Sequence, residues 1–513
     1  MKSLTFYIGL CLSILLFSCE RKPVTFCVLG TGLLRGEIGS GLASTAAYIR
    51  EEQTSNRDQV ILLDNGDFLQ GTPEAFFANY VDTTKRPVIS SIFSYLQYDA
   101  ISFGRTEFEV DANITNRVTS SCSVPFVCAN IIHKETGKPY LTPYTVFQKQ
   151  GYKIAVLGLI SSSELNWIPE SISLNYECQP LKEAAAFWVE TILQQEKPDV
   201  LIGLFHGGDE VSWVAQNIPG IDLIYTDLEE ASAEAFLNPK GETIWVLSTG
   251  SSSSHIAQAN ISLTPVEQGE PKLQVVPQIL ATASFPEDPN FNQVIAPFMQ
   301  RANTFFAKSI SEIPITVYSR EALQGPCPWT NILHKTYRYI SEQMGNTGGA
   351  KIDISIASAS YRNAVIYAGP VTVRDFVQLY PYENTLSIVE MNGAEFLAYL
   401  EYCVSLFVED YNSPVYHLDT AAGCEYSVDK TKPYGQRVTI TKMSDGNQFY
   451  LERRYHIAMT SYRALGGGGH LKNSLHWSAE KMKARCIANS PRSILASMVQ
   501  IYTTRPIDPY SAL

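Results

Sequence analysis

The sequence predicts two α/β domains joined by a helix, and three observations lead to this fold class. Apolar segments of strand length alternate with helical segments through the first half of the 513-residue chain, as in a sheet that is covered on both faces. One amphipathic helix, at residues 291–308, separates that half from a second series of strand-like segments. The length also exceeds what one hydrophobic core normally supports, so two cores are expected.

The predicted strands of the first half are short apolar runs that end in polar residues. We predict strands at residues 24–29, 60–63, 100–103, 153–160, 199–205, 221–225 and 243–247, and helices at 42–52, 89–96 and 181–195. Functional side chains in such folds collect on loops beyond the strand ends. Asp67, Gly104, His206 and Asp227 occupy such loops and are candidate site residues.

A change in composition after Pro265 marks the end of the first domain. Pro, Glu and Gln are scattered up to Asn290, and the amphipathic helix follows, with Val294, Phe298 and Ala302 together with Phe305 on one side. We therefore predict a first domain at residues 20–275, a linker with its helix at 276–309, and a second domain at 310–513.

The first nineteen residues predict export. Lys2 is followed by an apolar run at residues 4–17, which is shorter than the ~20 residues that span a bilayer. The run ends at Ser18-Cys19, and a small residue directly before a cysteine resembles the bacterial lipobox. We expect residues 1–19 to be a lipoprotein signal, with lipid attached to Cys19 and the protein in the bacterial cell envelope, either periplasmic or surface-exposed. The alternative is an ordinary signal peptide that happens to contain Cys19.

Composition limits the remaining classes of partner and cofactor. The formal net charge of −12 argues against a nucleic-acid-binding protein, although it leaves room for a local basic pocket. Ten cysteines include Cys11 and Cys19 of the export segment, and the others form no CxxC pair, so a thiolate zinc site is not expected. An oxidising compartment permits disulfides, and Cys122 with Cys128 would close a short loop, but the pairing stays open.

Ordered motifs in both halves carry a resemblance to a known family. They are LLDNGDFLQGTP at residues 62–73, GPVT at 369–372 and YPYENTL at 380–386. With the strand at 154–160 and the linker helix, they resemble the bacterial 5'-nucleotidase and 2',3'-cyclic-nucleotide phosphodiesterase family over essentially the whole mature chain. The resemblance implies a calcineurin-like metallophosphoesterase α/β sandwich, joined by a helix to a 5'-nucleotidase C-terminal α/β domain, and a phosphohydrolase that acts on nucleotides.

That family's chemistry depends on two divalent cations that activate a water and polarise the phosphoryl group. The resemblance places the bridging carboxylate at Asp67 and one histidine ligand at His206. The family's Asp-x-His falls on residues 33–35 (Leu-Leu-Arg), its Gly-Asn-His-Glu-Phe on 104–108 (Gly-Arg-Thr-Glu-Phe) and its Gly-His-x-His on 227–230 (Asp-Leu-Glu-Glu). Leucine cannot coordinate a metal and arginine repels one, so most of the ligand positions are lost.

Two retained ligands do not hold a binuclear centre, so we expect no metal cofactor and little metal-dependent turnover. An alternative is an active enzyme with one Zn or Mn ion, recruited by Asp227, Glu229 and Glu230 together with Asp67 and His206. A further alternative is that Asp67 and His206 persist for structural reasons, because they cap strand ends or bond to backbone.

Arg35 and Arg105 occupy positions that belong to opposite metals in the family. Guanidinium groups form bidentate bonds to phosphate, so we advance the hypothesis of a metal-free anion pocket made by this pair. The alternative is that each arginine is paired with Asp67 or Glu107.

By resemblance, the second domain retains the family's arrangement for binding a nucleoside. In that arrangement a base is stacked between two aromatic rings, and arginines orient the anionic end of the ligand. The resemblance places the rings at Tyr382 and Tyr462 and an arginine at Arg362. The aspartate that contacts the ligand in the family is Gly468 here. The alternative for both tyrosines is partly exposed packing.

Three classes of function follow from these expectations. The first is a ligand-binding lipoprotein that takes a nucleotide or nucleoside and has little or no hydrolytic activity. The second is an active 5'-nucleotidase or phosphoesterase with an unusual metal site. The third is a non-catalytic interaction protein, for which a catalytic paralogue is one candidate partner. None of the three binds nucleic acid, and all reach the membrane through the lipid anchor.

Overall fold

The structure is a computed structural model that describes residues 22–82, 84, 86–165, 175–251, 253–266, 271–345, 351–409 and 413–512. Cys19 and the predicted export segment lie outside the described residues. In the described part of the chain, no helix is both long and apolar enough to cross a membrane.

The strands of the amino-terminal part belong mainly to two six-stranded sheets. In chain order they are β1 (Val24–Thr31), β2 (Val60–Asp64), β3 (Ala100–Ser102), β4 (Phe126–Val127), β5 (Ile131–His133), β6 (Tyr144–Lys149), β7 (Tyr152–Ile160), β8 (Tyr176–Cys178), β9 (Val200–His206), β10 (Leu223–Thr226), β11 (Ala231–Leu237), β12 (Thr243–Thr249), β13 (His255–Thr264) and β14 (Lys272–Ala281). The first sheet has the order β14-β13-β1-β2-β3-β4, and the second has the order β11-β12-β10-β9-β7-β6.

The two sheets pack face to face, and helices cover their outer faces. Phe26 and Val28 of the first sheet share one buried cluster with Ile154 and Val156 of the second. The helices of this part, in chain order, are α1 (Ser40–Asn56), α2 (Pro73–Phe76), α3 (Val88–Leu96), α4 (Thr106–Glu109), α5 (Ala112–Ser120), α6 (Leu181–Gln195) and α7 (Asp209–Asn217), with a π-helical turn at Phe77–Val81. This is the predicted α/β sandwich, and each sheet is covered by one helical layer and by the other sheet.

Strand β14 was not predicted from the sequence. It pairs with β13 along its whole length, from Lys272 opposite Thr264 to Ala281 opposite His255. Its side chains alternate between exposed and half-buried, and it contains Pro277, as an edge strand tolerates. Because edge strands lack a buried apolar run, the segment was interpreted as linker, and the predicted boundary at residue 275 falls inside this strand.

The linker helix α8 (Pro289–Phe306) matches the predicted segment closely. Asp288 caps it by accepting a hydrogen bond from the backbone of Asn290, and proline occupies the first turn, where it costs no hydrogen bond. Its buried side chains are Phe291, Ile295, Phe298, Ala302 and Phe306. The buried face is therefore rotated slightly from the prediction, since Val294 and Phe305 lie at its edges.

The carboxy-terminal part is built on one five-stranded sheet of order β21-β17-β24-β20-β25. Its strands are β15 (Ser309–Ile313), β16 (Val317–Tyr318), β17 (Ile354–Ala357), β18 (Val365–Ile366), β19 (Gly369–Thr372), β20 (Thr385–Asn392), β21 (Thr420–Ala422), β22 (Cys424–Val428), β23 (Val438–Met443), β24 (Arg454–Thr460) and β25 (Cys486–Ser493). Its helices are α9 (Pro328–Gly345), α10 (Val373–Leu379), α11 (Gly393–Glu409), α12 (Ser461–Ala464), α13 (His470–Leu475), α14 (Ala479–Arg485) and α15 (Ile494–Tyr502).

Strands β20 and β24 place two predicted site residues at one end of this sheet. They are antiparallel neighbours, with Leu386 opposite Thr460. Tyr382 precedes β20 and Tyr462 follows β24, so both lie beyond that end. A hydrogen bond from the backbone N–H of Thr385 to the Ser461 hydroxyl, 3.2 Å long, ties the two loops together.

The cysteines of the described residues are free thiols, including Cys122 and Cys128. The Cys128 thiol lies beside Asn130, whose amide also donates to the sulfur of Cys178 at 3.4 Å. Burial raises the pKa of the Cys128 thiol, which keeps it in the unreactive protonated form.

Candidate functional site

The loop after β1 is fixed against the loop after β2. The N–H of Leu33 donates to the carbonyl of Gly66 at 2.9 Å, and the N–H of Arg35 donates to the carbonyl of Asp67 at 2.7 Å. Leu33, Arg35 and Asp67 all have positive φ, at 49°, 49° and 63°. Non-glycine residues rarely adopt this conformation, and it is often retained at functional sites. These three strained backbone positions lie together in the two loops where the resemblance predicted metal ligands.

Asp67 and His206, which the resemblance predicted as metal ligands, converge on Gly104. A β-carbon at position 104 would lie 2.6 Å from Asp67 Oδ1 and 2.6 Å from His206 Nε2. Any side chain there would displace both groups, so glycine is required by their close approach. The structure thus brings together three of the four residues that the strand-end argument selected.

The fourth, Asp227, holds His206 in place. Its Oδ2 lies 3.0 Å from His206 Nδ1, and its Oδ1 accepts hydrogen bonds from the backbone of Gly207 and Gly208 at 2.9 and 3.2 Å. Burial opposes ionisation of Asp227, but the positive charge of His206 and the two backbone donors outweigh it and hold the pKa well below its usual range. On the other side, Asp67 accepts from the backbone N–H of Thr106 at 2.8 Å. Both retained ligands thus have structural partners.

Glu107 organises the loop between Asp67 and Gly104. Its buried carboxylate accepts hydrogen bonds from the backbone of Asp67, Phe68, Leu69 and Gly104, at 2.8 to 3.1 Å. Burial raises its pKa, as does the nearby charge of Asp67, while the N–H donors oppose the rise. Sequence reasoning treated Glu107 only as a possible partner for an arginine, because its backbone partners are not visible in a motif.

Arg35 and Arg105 are each paired with a glutamate. Arg35 forms an ion pair with Glu229, and Arg105 Nε lies 3.2 Å from Oε1 of Glu109. The expected alternative partners, Asp67 and Glu107, are therefore not the ones observed. The anion-pocket hypothesis requires these guanidinium charges for a ligand, and one carboxylate already balances each of them.

The residues at the family's metal positions do not fit a binuclear metal centre. Leu33 is buried, Arg35 adds a positive charge, and both oxygens of Asp227 are engaged by His206 and by backbone. Within the described residues, Cys403, Asp419 and His470 do hold ligand atoms within 4.8 Å of one another, but far along the chain. The guanidinium of Arg463 already serves as the cation there, with Nε 2.9 Å from Asp419 Oδ2.

Four tyrosines form the candidate ligand site of the carboxy-terminal part. They are Tyr382 and Tyr462, which the resemblance predicted, and Tyr361 and Tyr416, which sequence reasoning missed. Burial raises the pKa of Tyr382 to about 12, and the nearby phenols of the other three add to this rise. Tyr382 remains 43% exposed and Tyr361 47% exposed, so ring surface is open to a ligand. We call this group the tyrosine cluster.

Arg463, which is 4% exposed, holds two members of the tyrosine cluster. Its Nη2 donates to the carbonyl of Tyr416 at 2.7 Å, and its Nη1 donates to the carbonyl of Gly467 at 2.8 Å. The Tyr462 ring lies against Gly467, where an added β-carbon would come within 2.5 Å of the ring. The position of Tyr462 is therefore set by the glycine run and by the guanidinium behind it.

His470 and Asp419 complete the support of Arg463. Burial, followed by the charge of Arg463, lowers the pKa of His470 to about 4, so its imidazole is neutral. Its Nε2 donates to the carbonyl of His417 at 2.8 Å, and its Nδ1 accepts from Arg463 Nη1 at 2.9 Å. Burial disfavours the charge on Asp419, but Arg463 outweighs it and lowers the pKa of that carboxyl.

Two other positions of the predicted site differ from the expected pattern. Gly468 has φ of 68°, and a β-carbon there would lie 2.4 Å from Arg463 Nη1. Arg362 follows Tyr361, and its Nη2 donates to the carbonyl of Ser413 at 2.9 Å. That nitrogen is thus committed to the chain that leads to Tyr416, and Arg362 supports the loop next to the cluster.

Glu383 joins the tyrosine cluster to the amino-terminal part. It directly follows Tyr382, and both of its carboxyl oxygens are closed off from solvent. Burial raises its pKa to about 8; hydrogen bonding by Tyr80 opposes the rise, and the charge of Glu109 adds to it. Tyr80 also lies near Asp111. We call Tyr80, Glu109, Asp111 and Glu383 the acidic junction.

Comparison with known proteins agrees with this architecture. Residues 308–473 match the family described as "5'-nucleotidase, C-terminal domain". A 5'-nucleotidase from Vibrio cholerae is 23% identical over 89% of this chain and 87% of its own length. A 2',3'-cyclic-nucleotide 2'-phosphodiesterase/3'-nucleotidase from Haemophilus influenzae is 21% identical over 90% of this chain and 80% of its own length.

A solved structure, a putative 5'-nucleotidase from Staphylococcus aureus in complex with alpha-ketoglutarate, superposes with a TM-score of 0.71 at 17% identity. It covers 94% of this chain and 98% of the other. The fold is thus that of two-domain phosphoesterases with a calcineurin-like amino-terminal domain. The predicted resemblance is confirmed: the chain is similar to 5'-nucleotidases and cyclic-nucleotide phosphodiesterases over most of its length, and residues 308–473 match the 5'-nucleotidase C-terminal domain family.

Proposed function

We propose that this protein binds a nucleotide- or nucleoside-type ring between Tyr382 and Tyr462, with little or no metal-dependent hydrolysis. The observation that carries the proposal is the support of the tyrosine cluster by Arg463, which fixes Tyr416 and the Tyr462 loop through buried hydrogen bonds. Rings held in place in this way lose little conformational entropy when a ligand binds. We further propose that Cys19 is lipidated and anchors the protein in the cell envelope.

The contrast between the two candidate sites supports this division of roles. Where the resemblance places the metals, Asp67, His206 and Asp227 have protein partners, and Arg35 and Arg105 are paired with glutamates. At the tyrosine cluster, in contrast, ring surface is exposed beside a rigid loop. Stacking of one base on an aromatic side chain is worth about 1–3 kcal/mol, so the loss of one ring should weaken binding measurably.

Isothermal titration of the mature chain with adenosine, guanosine, uridine and their 5'-monophosphates tests the binding proposal. Tyr382→Ala and Tyr462→Ala should each weaken binding by about 1–3 kcal/mol, the cost of one lost stacking face. Tyr367→Ala is the matched control, because this ring is 73% exposed and lies outside the cluster. If no compound binds the folded protein, the proposal is wrong and a scaffold role is favoured.

Hydrolysis is tested separately with AMP and a cyclic nucleotide in the presence of added manganese or zinc. We expect no turnover beyond that of an Asp67→Ala, His206→Ala double variant. Metal-dependent turnover that this variant abolishes would instead establish the active-enzyme alternative. Incorporation of a labelled fatty acid into the wild-type protein, and its loss in Cys19→Ala, tests the anchor.

A further inference from the structure

The chain enters the amino-terminal part at one end of the sandwich, and Asp67 and His206 lie at the other end. β1 begins at Val24, and the carbonyl of Lys22 accepts a hydrogen bond, 2.9 Å long, from the hydroxyl of Tyr152 at the start of β7. β2 runs parallel to β1 and β9 runs parallel to β7, and Asp67 and His206 lie where β2 and β9 end. The eight residues of β1 therefore separate the two ends by about 25 Å.

Only a short stretch of chain connects this entry point to Cys19. Lys22 is three residues beyond Cys19, and three fully extended residues span at most about 11 Å. A lipid on Cys19 would place that residue at the phospholipid headgroups, which occupy roughly 5–7 Å on each side of the hydrocarbon core. The end of the sandwich that holds Lys22 would then lie directly next to the bilayer.

Three apolar side chains are exposed at this same end. Leu237 is 65% exposed, and it ends β11 opposite the first residue of β12. Val266 is 47% exposed and follows β13, the antiparallel neighbour of β1. Leu193 is 37% exposed and lies in the last turn of α6, against the loop at Gly220 that leads to β10. Single exposed apolar residues are ordinary on a protein surface, but these three share the end from which the chain leads to Cys19.

Exposed lysines accompany these apolar side chains. They precede β1, follow α6, lie between β11 and β12, and begin β14, and they are Lys22, Lys197, Lys240 and Lys272. At a bilayer surface, lysine stems lie along apolar groups while the ammonium stays among the headgroups. Asp58 and Glu242 are also exposed at this end, so the contact does not depend on net positive charge. We call Leu193, Leu237, Val266 and the four lysines the anchor face.

We infer that the anchor face lies on the surface of the bilayer that holds the lipid of Cys19. The inference rests on the proposed lipidation and deepens it by naming the protein surface that meets the membrane. Leu237 and Val266 enter the interfacial region, and the lysines lie among the phosphate groups. The loops that carry Asp67 and His206 then face away from the bilayer, toward the solution.

The test measures the depth of single fluorophores in the lipidated protein, reconstituted in vesicles of phosphatidylethanolamine and phosphatidylglycerol. An environment-sensitive fluorophore is attached to Leu237→Cys or to Val266→Cys, and protein without an introduced cysteine gives the background from native thiols. Ser254→Cys is the matched control, because Ser254 is exposed and lies at the other end of β13, roughly 30 Å from Val266.

Labels at positions 237 and 266 should respond to the bilayer, and the label at 254 should not. Interfacial groups lie within about 10 Å of the headgroup boundary. Lipids that carry a nitroxide at the headgroup should therefore quench the labels at 237 and 266 severalfold more strongly than the label at 254. The emission of the first two should also shift to the blue on reconstitution, as the fluorophores leave water.

The outcomes separate this inference from the anchor proposal. Mass spectrometry of the same preparation shows whether Cys19 carries lipid. With lipid present, quenching at 237 and 266 that does not exceed quenching at 254 overturns the inference and leaves the anchor standing. Absence of lipid overturns the anchor and this inference together. Melting curves by circular dichroism that match the unlabelled protein establish that each label reports on the folded chain.

Discussion

Nη1 of Arg463 lies 2.9 Å from Nδ1 of His470, and both side chains are buried in the loop that carries Tyr462. Histidine accepts this hydrogen bond because it is neutral, and it is neutral because burial and the charge of Arg463 lower its pKa to about 4. The pair, together with Asp419, fixes the shape of the glycine run.

Removal of the guanidinium should destabilise the protein strongly. Arg463→Met leaves Asp419 charged and buried without its partner, and the expected loss is about 3–5 kcal/mol of unfolding free energy. Urea denaturation followed by circular dichroism measures it. Arg338→Met removes an exposed ion pair with Glu342 and should cost less than about 1 kcal/mol. A loss at Arg463 as small as that of the control would contradict the buried network.

An aspartate introduced at position 468 should not restore the family's ligand contact. Gly468→Asp places a β-carbon 2.4 Å from Arg463 Nη1 and keeps φ at 68°, so we expect destabilisation by about 2–4 kcal/mol. Gly446→Asp is the matched control: its φ is 86° and no atom lies within 4 Å, so only the backbone cost of about 1 kcal/mol applies. Equal thermal stability of the two variants would show that the Arg463 side chain moves aside without cost, and it would contradict this prediction.

Stability should fall with rising pH because of Glu383. Its pKa is about 8 in the folded protein and 4.5 when unperturbed, so the folded state holds the extra proton. The contribution is complete below the unperturbed value and is lost as pH rises through about 8, with a slope of at most about 1.4 kcal/mol per pH unit. Glu383→Gln should flatten the unfolding free energy across this window, whereas Glu135→Gln should not. An unchanged slope in Glu383→Gln would assign the dependence to another group.

Chelation should leave thermal stability unchanged. A bound metal stabilises the folded state by mass action, and the carboxylate and imidazole groups at the former metal site already have protein partners. Differential scanning calorimetry after dialysis against chelator, and again with added zinc or manganese, should give superimposable melting curves. A rise in melting temperature with either metal that is absent from Asp67→Ala would reveal a site at this position.

Much of the fold could be predicted because hydrophobic runs mark central strands. Residues 181–195 were predicted as a helix, and α6 has the same limits. Strand β14 could not be predicted, because an edge strand with Pro277 and alternating half-buried side chains has no continuous apolar run. The order of apolar and polar residues in a sequence shows which side chains are buried, but it does not show which strands pair.

The candidate sites, like the fold, could be predicted from the sequence only in part. Asp67, His206 and Asp227 were located from strand ends, because parallel strands bring their carboxyl ends to one edge. Tyr416 was missed, since its link to Arg463 spans 47 residues and runs through a backbone carbonyl that no motif displays. Glu383 was likewise missed, because its neighbours Tyr80 and Glu109 come from the other part of the chain.

The tight approach between Gly468 and Arg463 also restricts which residues this loop accepts. An acidic side chain does not fit at position 468 while the guanidinium stands 2.4 Å from its β-carbon. Loss of the guanidinium would leave Asp419 buried and unneutralised. Substitution at either position alone therefore lowers stability, so each of the two neighbouring residues fixes the identity of the other.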